Sequence, residues 1–529
     1  PAFHWRCPAG QVPPDGLSLA SMTSPKPLPD SIWQALVRLA EDCQVWLVGG
    51  ALRDHLLQRT TLDADFAVDG DARRLARRMA NEFGADYYDL DRERGSGRVL
   101  LDQAGSGAWI LDFSVRRGET IEQDLRARDF TVNALGMDLA EPDRLLDPTG
   151  GLPDLKAGLL RACSDRAVAD DPVRGLRAVR LAVDLGFHIE TETLRQVHDA
   201  APALAAASAE RIRDEIFRIL GGANPASAVR TLDHVGLLDP VLPEVAALRG
   251  VLQSPPHAFD AFEHSLAVLE NLTRLTAILG PSHDPEAASR MTMAEVSLKL
   301  GRFRAGVSDH LNASLTPGRQ VRQLLFLAAL CHDIGKAQTS SIGEDGRIRF
   351  PGHEESAASL IQTRARHLRL STHETDRLAT IVRYHHLPAV LDRAGEVTRR
   401  AIYRYFDKTS EAGIDIGLLS LADRLGMDVP PIPQETWKRR MDVARALLEA
   451  HFEGDWLNPP RLLHGDELAE ILDVEPGPEL GRLLATIREA QAAGEVHTRT
   501  QAIALARDLR DGSVRPLTSE DEEFPSPEN

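Results

Sequence analysis

The sequence predicts an α+β fold, with a small mixed head near the N-terminus followed by a long and mainly helical remainder. Strand-like apolar runs cluster in the first quarter of the chain, and later apolar positions mostly recur at helical spacing. At 529 residues with 43% hydrophobic residues, the chain is long enough for three or four domains with substantial cores. The strand-like runs are residues 45–48, 62–68, 85–90, 98–101 and 109–115, with predicted helices at 31–42, 51–58 and 72–83 among them.

The composition limits the kinds of partner that the protein is expected to bind. The net charge of −18, from 61 basic and 79 acidic residues, argues against broad non-specific nucleic-acid binding, and no DNA partner is expected. This net charge is still compatible with a local basic groove. No window approaches the roughly 18 apolar residues of a membrane span, and the N-terminus lacks a signal-peptide core, so we expect a cytoplasmic protein without membrane contact. The four cysteines lack metal-ligand spacing, which fits reduced thiols.

Residues 45–68, VWLVGGALRDHLLQRTTLDADFAV, predict a strand, a glycine turn, a helix and a second strand that carries carboxylates. Gly49 and Gly50 would bring backbone N–H groups close to a phosphate. Asp63 and Asp65 are two residues apart in a predicted strand, so both side chains should lie on one face, where they could share metal ions. A glycine turn beside two carboxylates suits two-metal phosphoryl or nucleotidyl transfer. The alternative is an ordinary turn next to a solvated strand end.

Asp112 is the candidate for a third metal-facing carboxylate. It interrupts the apolar run of residues 109–113, where an acidic side chain is unfavourable unless it faces a cleft. Solvation at a strand end explains the same pattern equally well.

Four motifs, in this order, then carry a family resemblance: GGALRD, DAD, RARDFTVNAL and LLDPTGGLPDL. Together they resemble the class II tRNA nucleotidyltransferase and bacterial poly(A) polymerase family. The resemblance implies a polymerase-β-like nucleotidyltransferase head, tRNA as substrate, and Mg²⁺ held by Asp63 and Asp65. It also assigns the triphosphate to Gly49, Gly50, Arg53 and Asp54, and the ribose to Arg128, Asp129 and Asn133. One departure is Ala127, which stands where the family usually has an arginine.

Residues 170–185, DDPVRGLRAVRLAVDL, predict a helix that would place Asp171, Arg174 and Arg177 near one face. Intrahelical salt bridges on a solvated face are the plain alternative. One carboxylate and one guanidinium can also read a base edge without a nucleic-acid template. DDPVR resembles the family's E-D-x-x-R template motif, which implies that Asp171 and Arg174 select the base. The later ERIRDEIFRIL resembles the next motif, with Glu210 and Arg211 bracing the template helix.

The segment between Glu119 and Asp124 bears on nucleotide choice. Members that add C, C and A typically have a long flexible loop there, and this chain has four residues. Resemblance to loop-shortened members predicts a CC-adding enzyme that uses CTP. A full CCA-adding enzyme that also uses ATP is the runner-up, followed by an A-adding enzyme or a poly(A) polymerase.

Histidines gather after residue 255. An apolar helix, FLAALCHDIGK, ends in adjacent His332 and Asp333, with His264 before it and Asp423 after it. The H…HD…D pattern resembles the HD phosphohydrolase superfamily, which implies a divalent-metal site made by these four residues. His353 and His385 fit second-metal positions, with His386 as a possible substitute. Imidazole and carboxylate ligands suit Ni²⁺, Mn²⁺, Fe, Zn²⁺ or Mg²⁺. We expect hydrolysis of phosphomonoesters or 2′,3′-cyclic phosphates; the alternative is a retained but idle domain.

Residues 462–506 resemble the C-terminal region with which the family holds the tRNA elbow. The predicted organisation is a disordered extension (1–30), the nucleotidyltransferase head (31–154), a helical neck with the base-selecting template (155–250), an HD domain (255–430), a helical tRNA-binding tail (435–510) and a disordered acidic tail (511–529).

Overall fold

The computed structural model describes residues 27–91, 95–103, 107–280, 291–393, 395, 397–427 and 433–511. The expected disorder of residues 1–30 and 511–529 therefore falls almost entirely outside the described residues. Inside them, Leu28 is already buried and the first helix begins at Asp30. The chain divides into two compact units, Pro1–Glu215 with His234–Pro240, and Ile216–Asp233 with Val241–Asn529.

The first unit contains the predicted strands and helices of the head. The five strands predicted between residues 45 and 115 are all observed, each within two residues of its predicted ends. The strands are β1 (Gln44–Val48), β2 (Asp63–Asp69), β3 (Asp86–Asp91), β4 (Ser96–Gln103), β5 (Gly107–Val115), β6 (Gly136–Asp138) and β7 (Leu145–Leu146). The helices are α1 (Asp30–Leu39), α2 (Gly50–Leu56), α3 (Ala72–Phe83) and α4 (Ile121–Arg126), with a 3-10 turn at Thr131–Asn133.

These seven strands form one mixed sheet in the order β3-β4-β5-β2-β1-β6-β7. Strands β2 and β5 run parallel, and the other neighbouring pairs are antiparallel. Phe66 and Phe113 stack at 4.8 Å between ring centroids on the face opposite to the adjacent aspartates of β2 and β5. The buried side of α3, which includes Leu75, Ala76 and Met79, covers that apolar face. The opposite face of the sheet carries the aspartates.

A helical neck completes the first unit. Its short strands β8 (Leu159–Leu160) and β9 (His188–Ile189) pair in parallel. The helices are α5 (Gly151–Ala157), α6 (Ala167–Asp170), α7 (Val173–Leu185), α8 (Thr191–Ala200) and α9 (Ala209–Gly221), the last of which runs on into the second unit.

The second unit is almost entirely helical in its described part. Among the described residues, no helix is long and apolar enough to cross a membrane. Helices α10 to α17 are Pro225–His234, Leu238–Val241, Pro243–Ala246, Ala261–Ile278, Met291–Leu300, Arg304–Asn312, Val321–Cys331 and Lys336–Thr339. Of these, Leu238–Val241 belongs mainly to the first unit. Helices α18 to α26 are His353–His367, Thr372–Tyr384, Leu387–Arg393, Arg399–Thr409, Gly413–Gly426, Gln434–Glu453, Gly465–Leu472, Pro478–Ala492 and Arg499–Arg510. Strands β10 (Ser314–Thr316) and β11 (Arg319–Gln320) form one hairpin, and β12 (Ser341–Ile342) and β13 (Ile348–Arg349) form another.

The three C-terminal helices α24 to α26 enclose a small apolar core of their own. Its fully buried members include Leu468, Ala502 and Ala506. The helical tail predicted from residues 462–506 thus corresponds to a packed three-helix element.

Candidate active sites

The structure brings the three predicted carboxylates of the head together on one sheet face. Asp65 of β2 lies directly opposite Asp112 of β5 in the parallel register, so their side chains point the same way. Asp63 is two residues from Asp65 on the same strand and shares that face. The neighbours of Asp65, Ala64 and Phe66, are buried on the other side.

The electrostatics of Asp65 suit a cation. The carboxylate remains open to solvent, but the surrounding protein desolvates it, and this raises its pKa; the charges of Asp112 and Asp63 act in the same direction, against Arg128. A divalent ion would relieve the repulsion among the three. An all-oxygen set of carboxylates is the donor type that Mg²⁺ prefers, so these residues fit the predicted ion.

Arg98 is a member of this site that sequence reasoning missed. It stands opposite Asp112 in the antiparallel β4–β5 register. Its Nε donates to one Asp112 oxygen at 2.8 Å and its Nη2 donates to the other at 2.7 Å. The pairing depends on strand register, which nothing in the local sequence around Arg98 reveals.

The glycine turn lies against the carboxylates. Gly49 has a φ of +81°, and a Cβ there would lie 2.9 Å from Nη1 of Arg128 and 3.4 Å from Oδ2 of Asp65. Only glycine meets both requirements without strain. Arg53 follows in α2, where it pairs with Asp54 and donates to Oδ1 of Asn133 at 2.6 Å. The residues assigned to the triphosphate therefore surround one turn next to Asp65.

The predicted ribose-binding residues form a hydrogen-bonded group that is largely buried. One oxygen of Asp129 accepts from the backbone N–H of Phe130 and from Asn133 Nδ2, and the other accepts from Arg177 Nη1 at 2.9 Å. Burial of Asp129 alone would raise its pKa, but the Arg177 charge and these hydrogen bonds outweigh it and hold the pKa below its usual value. Arg128 pairs with Asp124.

The predicted continuous helix over residues 170–185 is wrong at its start. Helix α6 ends at Asp170 and α7 begins at Val173, while Asp171 between them has extended φ and ψ angles of −148° and 91°. Pro172 is the reason, since a residue before proline disfavours the helical region. Asp171 is therefore placed by the break between two helices and not by the periodicity of one.

The two residues expected to read the base are held by the neighbouring backbone and by α9. Asp171 accepts a hydrogen bond from Arg211 at 2.6 Å and lies 3.7 Å from Nε of Arg174. Arg174 in turn donates to the carbonyl oxygens of Arg128, Ala127 and Ala167. Arg211 thus contacts the template as predicted, and Ala127 contributes through its backbone and not its side chain.

Glu215 is the second residue that sequence reasoning missed. Its side chain is 2% exposed, and its two oxygens accept from Arg177 Nε at 3.1 Å and from Arg180 Nε at 2.9 Å. Because Arg177 also donates to Asp129, a buried chain of charges links α9 through α7 to the ribose-binding group. Arg177, which was predicted to face the nucleotide, serves inside this chain as a bridge.

The second unit assembles the predicted histidine and aspartate cluster. His264 Nε2 lies 3.1 Å from Asp423 and 3.6 Å from Asp333, and His332 Nε2 lies 3.2 Å from Asp333. His353 Nε2 is 3.5 Å from the other oxygen of Asp333. Two sets of ligand atoms, His264–His332–Asp423 and His332–Asp333–His385, each lie within 4.8 Å of one another. Both sets include His332, whose single Nε2 lone pair can bind one ion only, so the two sets are overlapping parts of one candidate metal site.

The imidazoles of this cluster are oriented as metal ligands usually are. The Nδ1 atoms of His264, His332, His353 and His385 face the backbone carbonyls of Gly426, Ala329, Phe350 and Val382 at 2.7–3.3 Å. This directs each Nε2 into the cluster. Among the described residues, Nε2 of His264 and of His332 is buried, and the carboxylate oxygens at 3.1 Å and 3.2 Å do not meet the geometry of a hydrogen bond to them. A buried orphan nitrogen is costly unless a cation takes its lone pair, so the residues fit a metal ion.

His385 and His386 differ in their surroundings. Burial, together with the neighbouring His332, lowers the pKa of His385 to about 3, which keeps it a neutral potential ligand. His386 instead faces Glu354, with Nδ1 3.7 Å from Oε1. A further histidine, His257, lies edge-on against His264 at 4.9 Å between ring centroids, and its role was not assigned from the sequence.

Known protein families match the two regions of the chain that contain these sites. The chain matches the family described as "Poly A polymerase head domain" over residues 45–105 and 109–161, and the one described as "HD domain" over 261–428. Residues 186–248 match "Probable RNA and SrmB- binding site of polymerase A".

Among curated relatives, the A-adding tRNA nucleotidyltransferase of Deinococcus radiodurans is 33% identical over 87% of this chain and 94% of that protein. The CC-adding tRNA nucleotidyltransferase of Thermus thermophilus is 32% identical over 88% and 93%. Among solved structures, a CCA-adding enzyme in complex with ATP covers 92% of this chain and 97% of its own, with a TM-score of 0.57 at 18% identity, which shows a shared fold.

The matches confirm the predicted α+β nucleotidyltransferase head followed by a helical region that includes an HD domain. The identity to the relatives extends over nearly their whole length. The chain is therefore an enzyme that belongs to the tRNA nucleotidyltransferase family, in the branch that resembles bacterial poly(A) polymerase and carries an HD domain.

Proposed function

We propose that the head transfers CMP from CTP to the 3′ end of tRNA without a nucleic-acid template and stops after two C residues. The main support for nucleotidyl transfer is the β2–β5 strand register, which sets Asp65 beside Asp112, with Asp63 on the same face. Bound Mg²⁺ would supply charge neutralisation and orientation for the attacking and leaving oxygens. The RNA 3′-oxygen bonds to the α-phosphorus, the bond to the β-phosphate breaks, and pyrophosphate leaves.

Other residues of the first unit would hold the nucleotide. The turn at Gly49 and Gly50, with Arg53 and Asp54, is assigned to the triphosphate because it lies against Asp65. Arg128, Asp129 and Asn133 are assigned to the ribose. We assign base selection to Asp171 and Arg174, whose mutual placement Arg211 and three backbone carbonyls maintain. A fixed carboxylate and a fixed guanidinium can accept from and donate to the edge of cytosine.

The restriction to C is supported by the segment between Glu119 and Asp124. Its backbone is tied at both ends: Arg117 N–H donates to Asp124 at 2.9 Å, and Glu119 N–H donates to Gln123 at 2.7 Å. Helix α4 begins at Ile121 with its N-cap Thr120. A short and anchored connection has little freedom to help the template change its preference to ATP.

Two alternatives use the same head chemistry. The Deinococcus radiodurans relative is named an A-adding enzyme, which favours A addition with ATP as a second candidate. Several Neisseria relatives are named multifunctional CCA proteins, at 28–29% identity, which keeps complete CCA addition as a third.

For the second unit we propose a metal-dependent phosphohydrolase that acts on phosphomonoesters or 2′,3′-cyclic phosphates. Its support is the orientation of four Nε2 atoms toward Asp333 and Asp423. A bound Ni²⁺, Mn²⁺, Fe or Mg²⁺ ion would supply a nucleophile at neutral pH. A water oxygen bonds to phosphorus and the ester oxygen leaves with a proton. Damaged tRNA ends of this kind would be a plausible substrate for a cytoplasmic enzyme that also rebuilds them.

One experiment separates these possibilities. tRNAs that lack CCA, end in C or end in CC are each incubated with CTP alone and with ATP alone, and a duplex DNA serves as a negative substrate. The proposal requires C incorporation into the first two and no addition to the third. Asp65→Asn should abolish incorporation, whereas His332→Ala should leave it intact and abolish hydrolysis of 2′,3′-cyclic CMP. Efficient A addition to the CC-ended tRNA would overturn the CC assignment.

A further inference from the structure

Three charged side chains stand in a row across neighbouring strands of the head sheet. Arg98 of β4 is registered with Asp112 of β5, and Asp112 is registered with Asp65 of β2. Residues opposite one another in adjacent strands share a face, so the guanidinium and the two carboxylates form one line. The next strand contributes Val48 at this level, and the glycine turn follows it directly.

Arg98 donates hydrogen bonds to both carboxylate oxygens of Asp112. Two parallel N–H···O bonds of 2.8 Å and 2.7 Å use both oxygens of the carboxylate. Such a bidentate pair is the strongest common form of charge-assisted hydrogen bond. The Arg98 side chain is 36% exposed, so the guanidinium remains accessible from the cleft.

This arrangement conflicts with the proposed task of Asp112. A carboxylate that binds a divalent ion must turn an oxygen lone pair toward it, and here a fixed positive charge lies on both oxygens. The guanidinium also repels any divalent cation placed between Asp112 and Asp65. An ion pair that only stabilises the sheet does not need to involve a metal ligand, whereas the partner of Arg98 is Asp112, a proposed metal ligand.

We propose that Arg98 and the divalent ion compete for Asp112, and that an incoming nucleoside triphosphate favours the ion by offering the guanidinium a phosphate instead. The inference rests on the proposed role of Asp63, Asp65 and Asp112 as metal ligands. Arg98 is then a positioning residue that acts through Asp112. It makes metal binding at the carboxylates weak without nucleotide and strong with it, so the metal ion and the nucleotide bind together. A guanidinium suits this exchange because it binds carboxylate and phosphate with the same planar fork.

The test measures Mn²⁺ binding directly, by the electron paramagnetic resonance signal of the free ion. All proteins are full length and carry His332→Ala, so that the histidine cluster contributes little. The variants compared in that background are Arg98→Gln, Arg98→Lys, Asp112→Asn and, as a matched control, Arg73→Gln. Arg73 also forms a bidentate pair on a strand carboxylate, Asp89, with bonds of 3.0 Å and 3.2 Å.

Without nucleotide, Arg98→Gln should bind Mn²⁺ about tenfold more tightly than the reference, because one positive charge near the ion is gone. Arg98→Lys, which keeps the charge but not the fork, should fall between them, and Arg73→Gln should not differ from the reference. With a non-hydrolysable CTP analogue, the difference between Arg98→Gln and the reference should shrink to about twofold or less.

Unchanged or weaker Mn²⁺ binding by both Arg98 variants would overturn the competition, as would a gain that the nucleotide analogue leaves untouched. Asp112→Asn checks the underlying assumption separately: it should bind Mn²⁺ more weakly than the reference. Failure of the wild-type enzyme to incorporate CMP would count against the proposed function, while the Mn²⁺ comparison would still decide whether Arg98 and the ion compete.

Discussion

Replacing Glu215 with glutamine should loosen the connection between α7 and α9 and, through Arg177, the ribose-binding group. Glutamine keeps the size of the side chain and one acceptor oxygen. Its amide nitrogen would face an arginine N–H, so one hydrogen bond at 3.1 Å or 2.9 Å is lost and two donors oppose each other. Two arginines also lose the charge that neutralises them.

The expected loss of local stability follows from the burial of Glu215, Arg177 and Arg180. Losing one charge-assisted hydrogen bond costs about 1.5–3 kcal/mol, and breaking a buried ion pair by removing one partner costs about 3–5 kcal/mol. Glu215 is 2% exposed, Arg180 19% and Arg177 31%, so solvent can screen part of the Arg177 charge. We therefore expect the lower end, about 3 kcal/mol.

Hydrogen exchange of the amides in α7 and α9 measures this local opening free energy without requiring two-state unfolding of a two-unit chain. The matched control is Glu192→Gln, which breaks a neck pair with Arg195 whose side chains are 46% and 62% exposed. That control should change by less than about 0.5 kcal/mol. The KM for CTP should rise in Glu215→Gln and not in Glu192→Gln. A loss below about 1 kcal/mol in Glu215→Gln would refute the view that Glu215 secures this chain of charges.

Three further outcomes are expected. Glu374 is fully buried against Arg319 and caps α19, and these contacts lower its pKa from 4.5 to about 2 against the opposing effect of burial. A carboxyl with a lowered folded-state pKa stabilises the fold above its unfolded pKa and loses that contribution as the pH falls to 2. Glu374→Gln should therefore lower the opening free energy of α19, measured by hydrogen exchange of its amides, by about 3 kcal/mol at pH 7 and by almost nothing near pH 2. Gly49→Ala should reduce CMP incorporation at least about tenfold, because the new Cβ meets Arg128 at 2.9 Å and the backbone, with φ of 81° and ψ of −138°, lies in a region that costs other residues about 1–3 kcal/mol. Arg211→Gln should raise the KM for CTP and the misincorporation of other nucleotides several-fold, because Asp171 loses its 2.6 Å hydrogen bond.

The first two of these have a control that removes a similar feature elsewhere. Glu355→Gln breaks an exposed pair with Arg383 and should show little pH-dependent loss. Gly346→Ala imposes a φ of +75° where a Cβ would meet nothing within 4 Å, so it should leave incorporation unchanged. Equal losses of activity in Gly49→Ala and Gly346→Ala would contradict the steric argument. Unaltered nucleotide choice in Arg211→Gln would show that Asp171 is held in place without it.

Features with a local signal were predictable from the sequence. The strands of the head follow short apolar or alternating runs in the sequence, and the family resemblance rested on residues close together in the chain. Both the α+β head and the family are confirmed. The histidine and aspartate cluster of the second unit was predictable for a related reason: the adjacent His332 and Asp333 at a helix end are an unusual pair in the sequence.

Features that depend on pairing between distant segments were missed or misplaced. Arg98 reaches Asp112 only because β4 and β5 adopt one particular register, and Glu215 reaches Arg177 because α9 packs on α7. Asp171 was placed on a helix because the apolar spacing of α7 was extended one turn too far. Pro172 is compatible with the start of α7, but it disfavours the helical region for Asp171, and this ends α6 at Asp170.

The proposed function requires that the head adds C, and only C, to tRNA. The most direct measurement incubates the purified wild-type enzyme with tRNA that lacks the 3′ CCA, in the presence of all four nucleoside triphosphates together, and sequences the 3′ ends of the products. We predict that the products end in CC and that no A follows even at long incubation. Products that end in CCA, or that carry A added directly to the unextended tRNA, would contradict it.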